Sequence, residues 1–160
     1  MQMTILKLFG VILILGAGAS AVSFSVRFEK RKIAVLAGWI DLIRYIRAQV
    51  DCYPLPLPQI LERADHALFE SCFCRHPTPD LTTIYHASQI YLDAEAKRLL
   101  SSFVREFHYE TRAELLRRSD YYAGELGRLR EKRMEEFTAK SRVIFAVCMG
   151  AAILISILLW

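Results

Sequence analysis

The chain has 160 residues, of which 54% are hydrophobic and 24% are charged, and its formal net charge is +4. This length allows one modest domain with membrane anchors, and so small a positive excess does not by itself indicate a nucleic-acid-binding protein. The apolar residues are concentrated at the two ends of the chain, which explains why mean hydropathy is positive despite the many charges.

The first apolar run covers residues 5–27. A helix of this length crosses a bilayer, because about 20 apolar residues span the roughly 30 Å hydrocarbon core, and Lys7 can extend its ammonium group to the membrane surface. A cleavable signal peptide is the alternative, since a lysine, an apolar core and an Ala-x-Ala motif also occur here. The basic residues at 27 and 30–32 disfavour that alternative, because such a cluster resists translocation. The sequence therefore predicts an uncleaved transmembrane helix over 5–27.

The centre of this run is rich in small residues, which let helix backbones approach closely in lipid. They recur four positions apart and so share one helix face, and the second apolar run also contains small residues. We predict that the membrane helices pack through Gly16, Ala17, Ser20, Ala21 and Gly150.

Residues 28–50 contain no proline and follow the pattern of an amphipathic helix that continues the first span. The apolar stripe recurs at spacings of three and four and comprises Ile33, Leu36, Ile40, Ile43, Ile46 and Val50. Prolines at 54, 56 and 58 end this helix and predict a short, rigid corner, because alternate prolines do not fit a helix interior. A PxxP ligand is the alternative, and it suits a tail better than a segment between two helices.

Three helices are predicted after the corner. The first covers about 58–73. The second covers about 81–91 and is capped by Asp80, and the third begins at 94 with Asp93 as its N-cap. The apolar residues expected in the core from the third helix are Leu99, Leu100, Phe103, Val104 and Phe107. A tight turn is expected around 108–110.

The last helix is predicted from Thr111 onwards, with a charged, solvated face, and it enters the second apolar run at 143–160. That run contains no charge and no proline and would extend about 27 Å at about 1.5 Å per residue. It is predicted to be the second transmembrane helix. Both inner flanks are basic, so residues 28–142 are expected in the cytoplasm. The predicted fold class is all-α: a membrane-anchored helical bundle in which N- and C-terminal transmembrane helices flank a cytosolic helical domain.

No pattern of a catalytic, cofactor-binding or metal site rises above background. The sequence lacks a phosphate-binding glycine loop, an HExxH motif and a CxxC motif. One soft-ligand group occurs, at His66, Cys72, Cys74 and His76, but its spacing is not a common zinc pattern. We predict no enzyme activity, no cofactor, no metal, no nucleic acid and no small-molecule substrate. A membrane-tethered thiol or metal sensor is the alternative.

The order of these features resembles the stage III sporulation protein AB family of endospore-forming bacteria. The segments that carry the resemblance are Leu6–Gly10 at the first span, the Pro-Leu-Pro-x-x-Leu corner at Pro56–Leu61, the helix start from Leu92-Asp93 to Leu99-Leu100, and Lys140-Ser141-Arg142 before the run that contains Gly150. Two departures occur. Residues 106–110 replace the family's Leu-Gly and Ser-Asp turn, and Leu55 replaces a polar residue before the corner.

The resemblance implies a multi-pass protein of the mother-cell membrane in a channel-like complex between mother cell and forespore. The family is similar to the platform proteins of type II secretion (the F-type domain) and type IV pilus machines, which implies sporulation channel proteins and a cytosolic ATPase as partners. Our own expectation for the partner-facing end is the corner and the helix after it, namely Pro56, Leu57, Pro58, Leu61 and Arg63. A secretion or pilus platform outside sporulation is a further alternative, and homo-oligomerisation is left open.

Overall fold

The computed structural model describes residues 2–53, 55–106 and 111–159, with side chains at 23–24, 26–53, 55–106, 111–144, 146–147 and 150–151. Every regular element in these residues is helical, which confirms the all-α prediction. The elements in chain order are α1 (Gln2–Cys52), α2 (Leu57–Glu62), α3 (His66–Ser71), α4 (Leu81–Ser88), a 3₁₀ turn (Gln89–Tyr91), α5 (Ala94–Glu106) and α6 (Arg112–Leu159).

The chain divides into two compact units. Unit 1 comprises residues 1–30 and 136–160, and unit 2 comprises residues 31–135. Among the residues that the structure describes, no helix is both long enough and apolar enough to cross a membrane. The packing residues Gly16, Ala17, Ser20 and Ala21 lie outside the described side chains, so their role stays a prediction. Gly150 is exposed, and a Cβ there would meet no atom within 4 Å.

The core of unit 2 is built on the predicted apolar stripe of α1. Spacings of three and four bring the stripe to one side of the helix, where Leu36, Ile40, Ile43 and Ile46 are buried and Ile33 and Val50 are half-buried. Val35, Trp39 and Leu42 widen this buried side. Each buried side chain of this size contributes roughly 1.5–3 kcal/mol relative to an exposed one. Trp39 also donates a hydrogen bond from Nε1 to the buried Ser88 Oγ at 3.0 Å, so its polar atom is satisfied inside the core.

Gly38 lies on the same helix, where α1 crosses the end of α3. A Cβ at this position would lie 2.5 Å from the carbonyl oxygen of Ser71 and 2.7 Å from its Oγ. Only glycine fits such an approach, because real Cβ atoms do not come this close to backbone atoms. The single glycine of the 28–50 pattern therefore marks a helix crossing.

The helix predicted over about 58–73 is two helices. α2 ends at Glu62 and α3 begins at His66, because Asp65 adopts an extended conformation and its Oδ1 accepts a hydrogen bond from the Ala67 N–H at 3.1 Å. A side chain that satisfies a free helix-end donor favours a new helix start over continuation. The apolar spacing runs through the break, which is why the pattern alone predicted one helix.

Both predicted caps are confirmed. Asp80 accepts hydrogen bonds from the N–H groups of Thr82 at 3.0 Å and Thr83 at 3.1 Å at the start of α4. Asp93 accepts one from the Ala96 N–H at 2.8 Å at the start of α5. Helix α5 then buries Leu100, Phe103 and Val104, with Leu99 partly buried. Phe107 and the turn expected at 108–110 lie outside the described residues.

Within unit 2, α6 packs antiparallel to α1. Arg47 on α1 contacts Asp120 on α6 through an Nε–Oδ1 distance of 2.6 Å, and later on α1 Asp51 contacts Arg112 at 3.5 Å. The residue number rises on one helix as it falls on the other, so the directions oppose. The apolar side of α6 completes the core with Tyr122, Ala123, Leu126 and Leu129.

Candidate interaction surface at the proline corner

The corner begins where α1 ends at Cys52. Pro56 is the N-cap of α2, with φ −67° and ψ 147°, and its carbonyl accepts hydrogen bonds from the N–H groups of Gln59 at 3.0 Å and Ile60 at 3.2 Å. Pro58 is the second residue of α2, where a missing N–H costs no helical bond. The predicted place of Pro58 in the first turn is therefore confirmed.

The buried face of α2 packs the corner against the core. Ile60 and Leu61 are fully buried, and the Tyr45 hydroxyl donates to the Ile60 carbonyl at 3.5 Å. The ends of α1 and α6 meet beside it, because the Arg112 guanidinium also donates a hydrogen bond to the Asp51 carbonyl. The corner thus lies at the end of unit 2 where α1 finishes and α6 starts.

The five residues expected at the partner-facing end separate into two groups. Pro56, Pro58 and Arg63 are exposed and Leu57 is half-buried, whereas Leu61 is fully buried and supports the corner from within. Sequence reasoning missed Tyr53, whose side chain is 55% exposed beside the corner. An aromatic residue next to a proline run was the available signal, because exposed aromatic side chains are enriched at protein interfaces.

The thiols of the soft-ligand group lie inside unit 2. Cys72 and Cys74 are buried, and Cys74 Sγ donates a hydrogen bond to the His76 carbonyl at 3.2 Å. The imidazole of His66 is exposed and lies 3.3 Å from a carboxylate oxygen of Glu70. Among the residues that the structure describes, no group of three or more His, Cys, Asp or Glu side chains could hold a metal ion.

A left-handed residue connects the two thiols. Phe73 has φ 59°; its N–H donates to the Glu70 carbonyl, and the Cys74 N–H donates to the Phe69 carbonyl, both at 2.9 Å. These paired bonds form a Schellman end to α3. Glycine is the usual residue at this position, and an L-residue costs about 1–2 kcal/mol there. The ring of Phe73 packs on Tyr91 with centroids 4.5 Å apart, which offsets part of that cost.

Burial controls the acidity of the inner thiol. Burial raises the pKa of Cys72 to about 12, while a hydrogen bond with Ser71 lowers it by less. The thiolate is the form that binds metals and attacks disulfides. At neutral pH Cys72 is therefore a packed, protonated thiol.

A polar cluster joins α5 to α6. Glu106 Oε2 accepts from Arg118 Nη1 at 2.5 Å and from the Tyr122 hydroxyl at 2.8 Å. Burial first, and then the hydrogen bond to Glu106, raise the pKa of Tyr122 to about 12. Arg118 also contacts Glu114 at 3.2 Å. Each of these charges has a partner of opposite sign, which is the arrangement of a structural network rather than of a poised acid or base.

Asp93 has two roles at the start of α5. One carboxylate oxygen caps the helix, and the other lies 2.5 Å from Arg133 Nη2 on α6. The Asp93 carboxylate therefore caps α5 and joins it to α6.

Comparison of the chain with family models, with curated proteins and with solved structures found no match.

Proposed function

We propose that this protein is a non-enzymatic membrane platform: a component of a sporulation channel or secretion-like complex between mother cell and forespore, coupled to a cytosolic ATPase. In this proposal residues 5–27 and 143–160 cross the mother-cell membrane, and the helical unit between them lies in the cytoplasm. The resemblance to the stage III sporulation protein AB family supports the cellular setting.

Exposed apolar side chains in unit 1 are the observation that carries the membrane part of the proposal. Phe24, Val143 and Val147 are exposed at 73%, 63% and 65%. Large apolar side chains left open on a compact unit mark an interaction surface or a membrane. Because Phe24 lies in the uncharged stretch 8–26 and the two valines lie in the uncharged run 143–160, a bilayer is the environment that suits them.

Topology is tested with the native thiols. Cys52 is exposed, whereas Cys72 and Cys74 are buried, so a membrane-impermeant maleimide should label Cys52 of a Cys148→Ser chain only after the cells are permeabilised. Labelling of intact cells would place the corner outside the membrane and overturn the topology. Cys52→Ser in the same background is the control, because it removes the labelled thiol.

The exposed side of the corner is the proposed contact with the ATPase. Tyr53, Pro56, Leu57 and Pro58 place apolar surface at one end of unit 2, and the exposed Arg63 adds a cation to it. Leu57→Glu and Arg63→Glu should each weaken binding of the ATPase encoded in the same gene neighbourhood by about tenfold or more. Lys97→Glu, an exposed change on α5, is the matched control. Unchanged binding in both corner variants would contradict the assignment.

Gene neighbourhood also separates the remaining alternatives. Secretion or pilus genes without sporulation genes beside this one would favour a platform outside sporulation. The thiol or metal sensor gains no support from the positions of its residues, since both thiols are buried and both histidines are exposed.

A further inference from the structure

Four cations in unit 1 face solvent beside the apolar runs. Arg27 and Lys30 on α1, and Lys140 and Arg142 on α6, are all exposed. Within the described part of the chain, none of the four makes an ion pair or side-chain hydrogen bond. Surface cations of this kind are available to an anion that the chain does not supply.

The acids of the same unit do not neutralise these cations. Residues 1–30 and 136–160 contain five Lys and Arg side chains against two Glu side chains, a net charge of +3. Both acids, Glu29 and Glu136, are half-buried and are engaged in contacts of their own. The exposed charge of the described part of unit 1 is therefore positive.

We infer that Arg27, Lys30, Lys140 and Arg142 form a binding surface for the headgroups of anionic phospholipids. This inference rests on the proposed membrane function and names the lipid class. The four lie next to the apolar runs: Val26 precedes Arg27, and Val143 follows Arg142. Attraction between a basic segment and an anionic surface acts within a Debye length, about 10 Å at 0.1 M salt. When the apolar runs are inserted in a bilayer, lipid headgroups lie within one Debye length of the four cations. Insertion does not bring an acidic protein to the same place, so lipid is the favoured ligand.

Lipid titration of the full-length chain tests the assignment. The chain is purified in a neutral detergent, phosphatidylglycerol or phosphatidylcholine is added, and bound lipid is counted by native mass spectrometry. We expect a preference for phosphatidylglycerol that weakens as salt is raised. Lys140→Gln with Arg142→Gln should lower the apparent affinity for phosphatidylglycerol by about tenfold, and Arg27→Gln with Lys30→Gln should act likewise.

A charge-matched control uses two exposed cations of α5, Lys97→Gln with Arg98→Gln, which should leave the preference unchanged. An equal loss in this control, or no preference in the native chain, would overturn the lipid assignment. So would binding of a soluble glutamate-rich peptide to the four cations without any lipid preference. A second measurement tests the membrane function itself: the chain is reconstituted in phosphatidylcholine vesicles and extracted with alkali. Release of the chain from these vesicles would overturn the membrane function.

Discussion

At the residue scale, two buried serines differ in whether the hydroxyl group has a hydrogen-bond partner. Ser88 Oγ accepts from Trp39 Nε1 and donates to the Tyr85 carbonyl, both at 3.0 Å. Ser119 is equally buried, but its Oγ has no hydrogen-bond partner. A buried polar group is stabilising only when it is paired, because its bonds to water are lost on folding.

Ser119→Ala should therefore stabilise the protein by about 1 kcal/mol, since it removes an unpaired hydroxyl. Ser88→Ala should destabilise it by about 1–3 kcal/mol, because the Trp39 Nε1–H would lose its acceptor inside the core. Chemical denaturation followed by circular dichroism measures both changes. Equal changes in the free energy of unfolding would show that hydrogen bonding of the hydroxyl group does not determine the effect.

Gly38 allows a second residue-scale comparison. Gly38→Ala would place a methyl group 2.5 Å from the Ser71 carbonyl oxygen, and forcing the two helices apart should cost about 1–3 kcal/mol. Gly124→Ala is the matched change on α6, where a Cβ meets nothing within 4 Å. It should stabilise the helix by up to about 1 kcal/mol through propensity alone. A neutral Gly38→Ala chain would contradict the close crossing.

The raised pKa of Cys72 also has a measurable consequence. Burial raises the pKa of the native thiol to about 12, whereas the ordinary pKa of a cysteine thiol is 9.0. Between these values the native state binds more protons than the unfolded state, so stability falls as pH rises, by up to about 1.4 kcal/mol per pH unit. Below pH 9 the thiol is protonated in both the native and the unfolded state, so this loss of stability does not occur.

The difference between the native chain and Cys72→Ala isolates this dependence from other groups that titrate at high pH. The native chain should lose stability more steeply than the variant when denaturation is measured from pH 8 to pH 11. Parallel pH profiles would show that the thiol is not buried in solution.

At the element scale, a residue at a helix end also connects two helices of the bundle. Asp93 both caps α5 and pairs with Arg133 of α6, so one side chain joins two elements. Asp93→Ala should cost about 1–3 kcal/mol, because it removes the cap and the charge partner together. Asp93→Asn keeps a capping oxygen and should cost less than half as much. Thermal unfolding of the two variants gives the comparison, and equal losses would exclude a contribution from the cap.

Local sequence patterns predicted most elements but not all of their junctions. Asp80 and Asp93 stood directly before an apolar helical pattern, and the prolines excluded a helix interior, so those boundaries could be located. Asp65 lies inside a continuous apolar pattern, which hid the break between α2 and α3. The left-handed Phe73 and the crossing at Gly38 could not be predicted, because both depend on a neighbour that is distant along the chain or on core packing.

The proposed partner surface was predictable only in part, because its burial depends on packing against residues that are distant along the chain. Pro56 and Pro58 were located by the proline pattern, whose effect is local. Which leucine of the corner faces solvent depends on how α2 rotates against Tyr45, and helical spacing alone assigns Leu57 and Leu61 to one face. In the structure the two differ in degree of burial, because Leu61 is fully buried whereas Leu57 is half-buried and packs against the edge of the core.

At the scale of the whole molecule, the core cluster lies entirely within unit 2. Its first buried member is Val35 and its last is Leu129. We therefore expect a fragment of residues 31–135 to fold alone, with helical circular dichroism and one cooperative thermal transition. Leu42→Ala in this fragment should lower its stability by about 2–5 kcal/mol. A fragment without a cooperative transition would show that unit 2 needs the rest of the chain.

The buried indole of Trp39 gives this bundle an internal optical reporter. The chain contains two tryptophans, Trp39 and Trp160, so Trp160→Phe leaves fluorescence from the core alone. Because Trp39 is fully buried and hydrogen-bonded to Ser88 on α4, its emission should move to longer wavelength whenever α4 separates from α1 and water enters. Loosening of the bundle by a bound partner would then be detected in solution, without a dye, as a red shift of the ultraviolet emission.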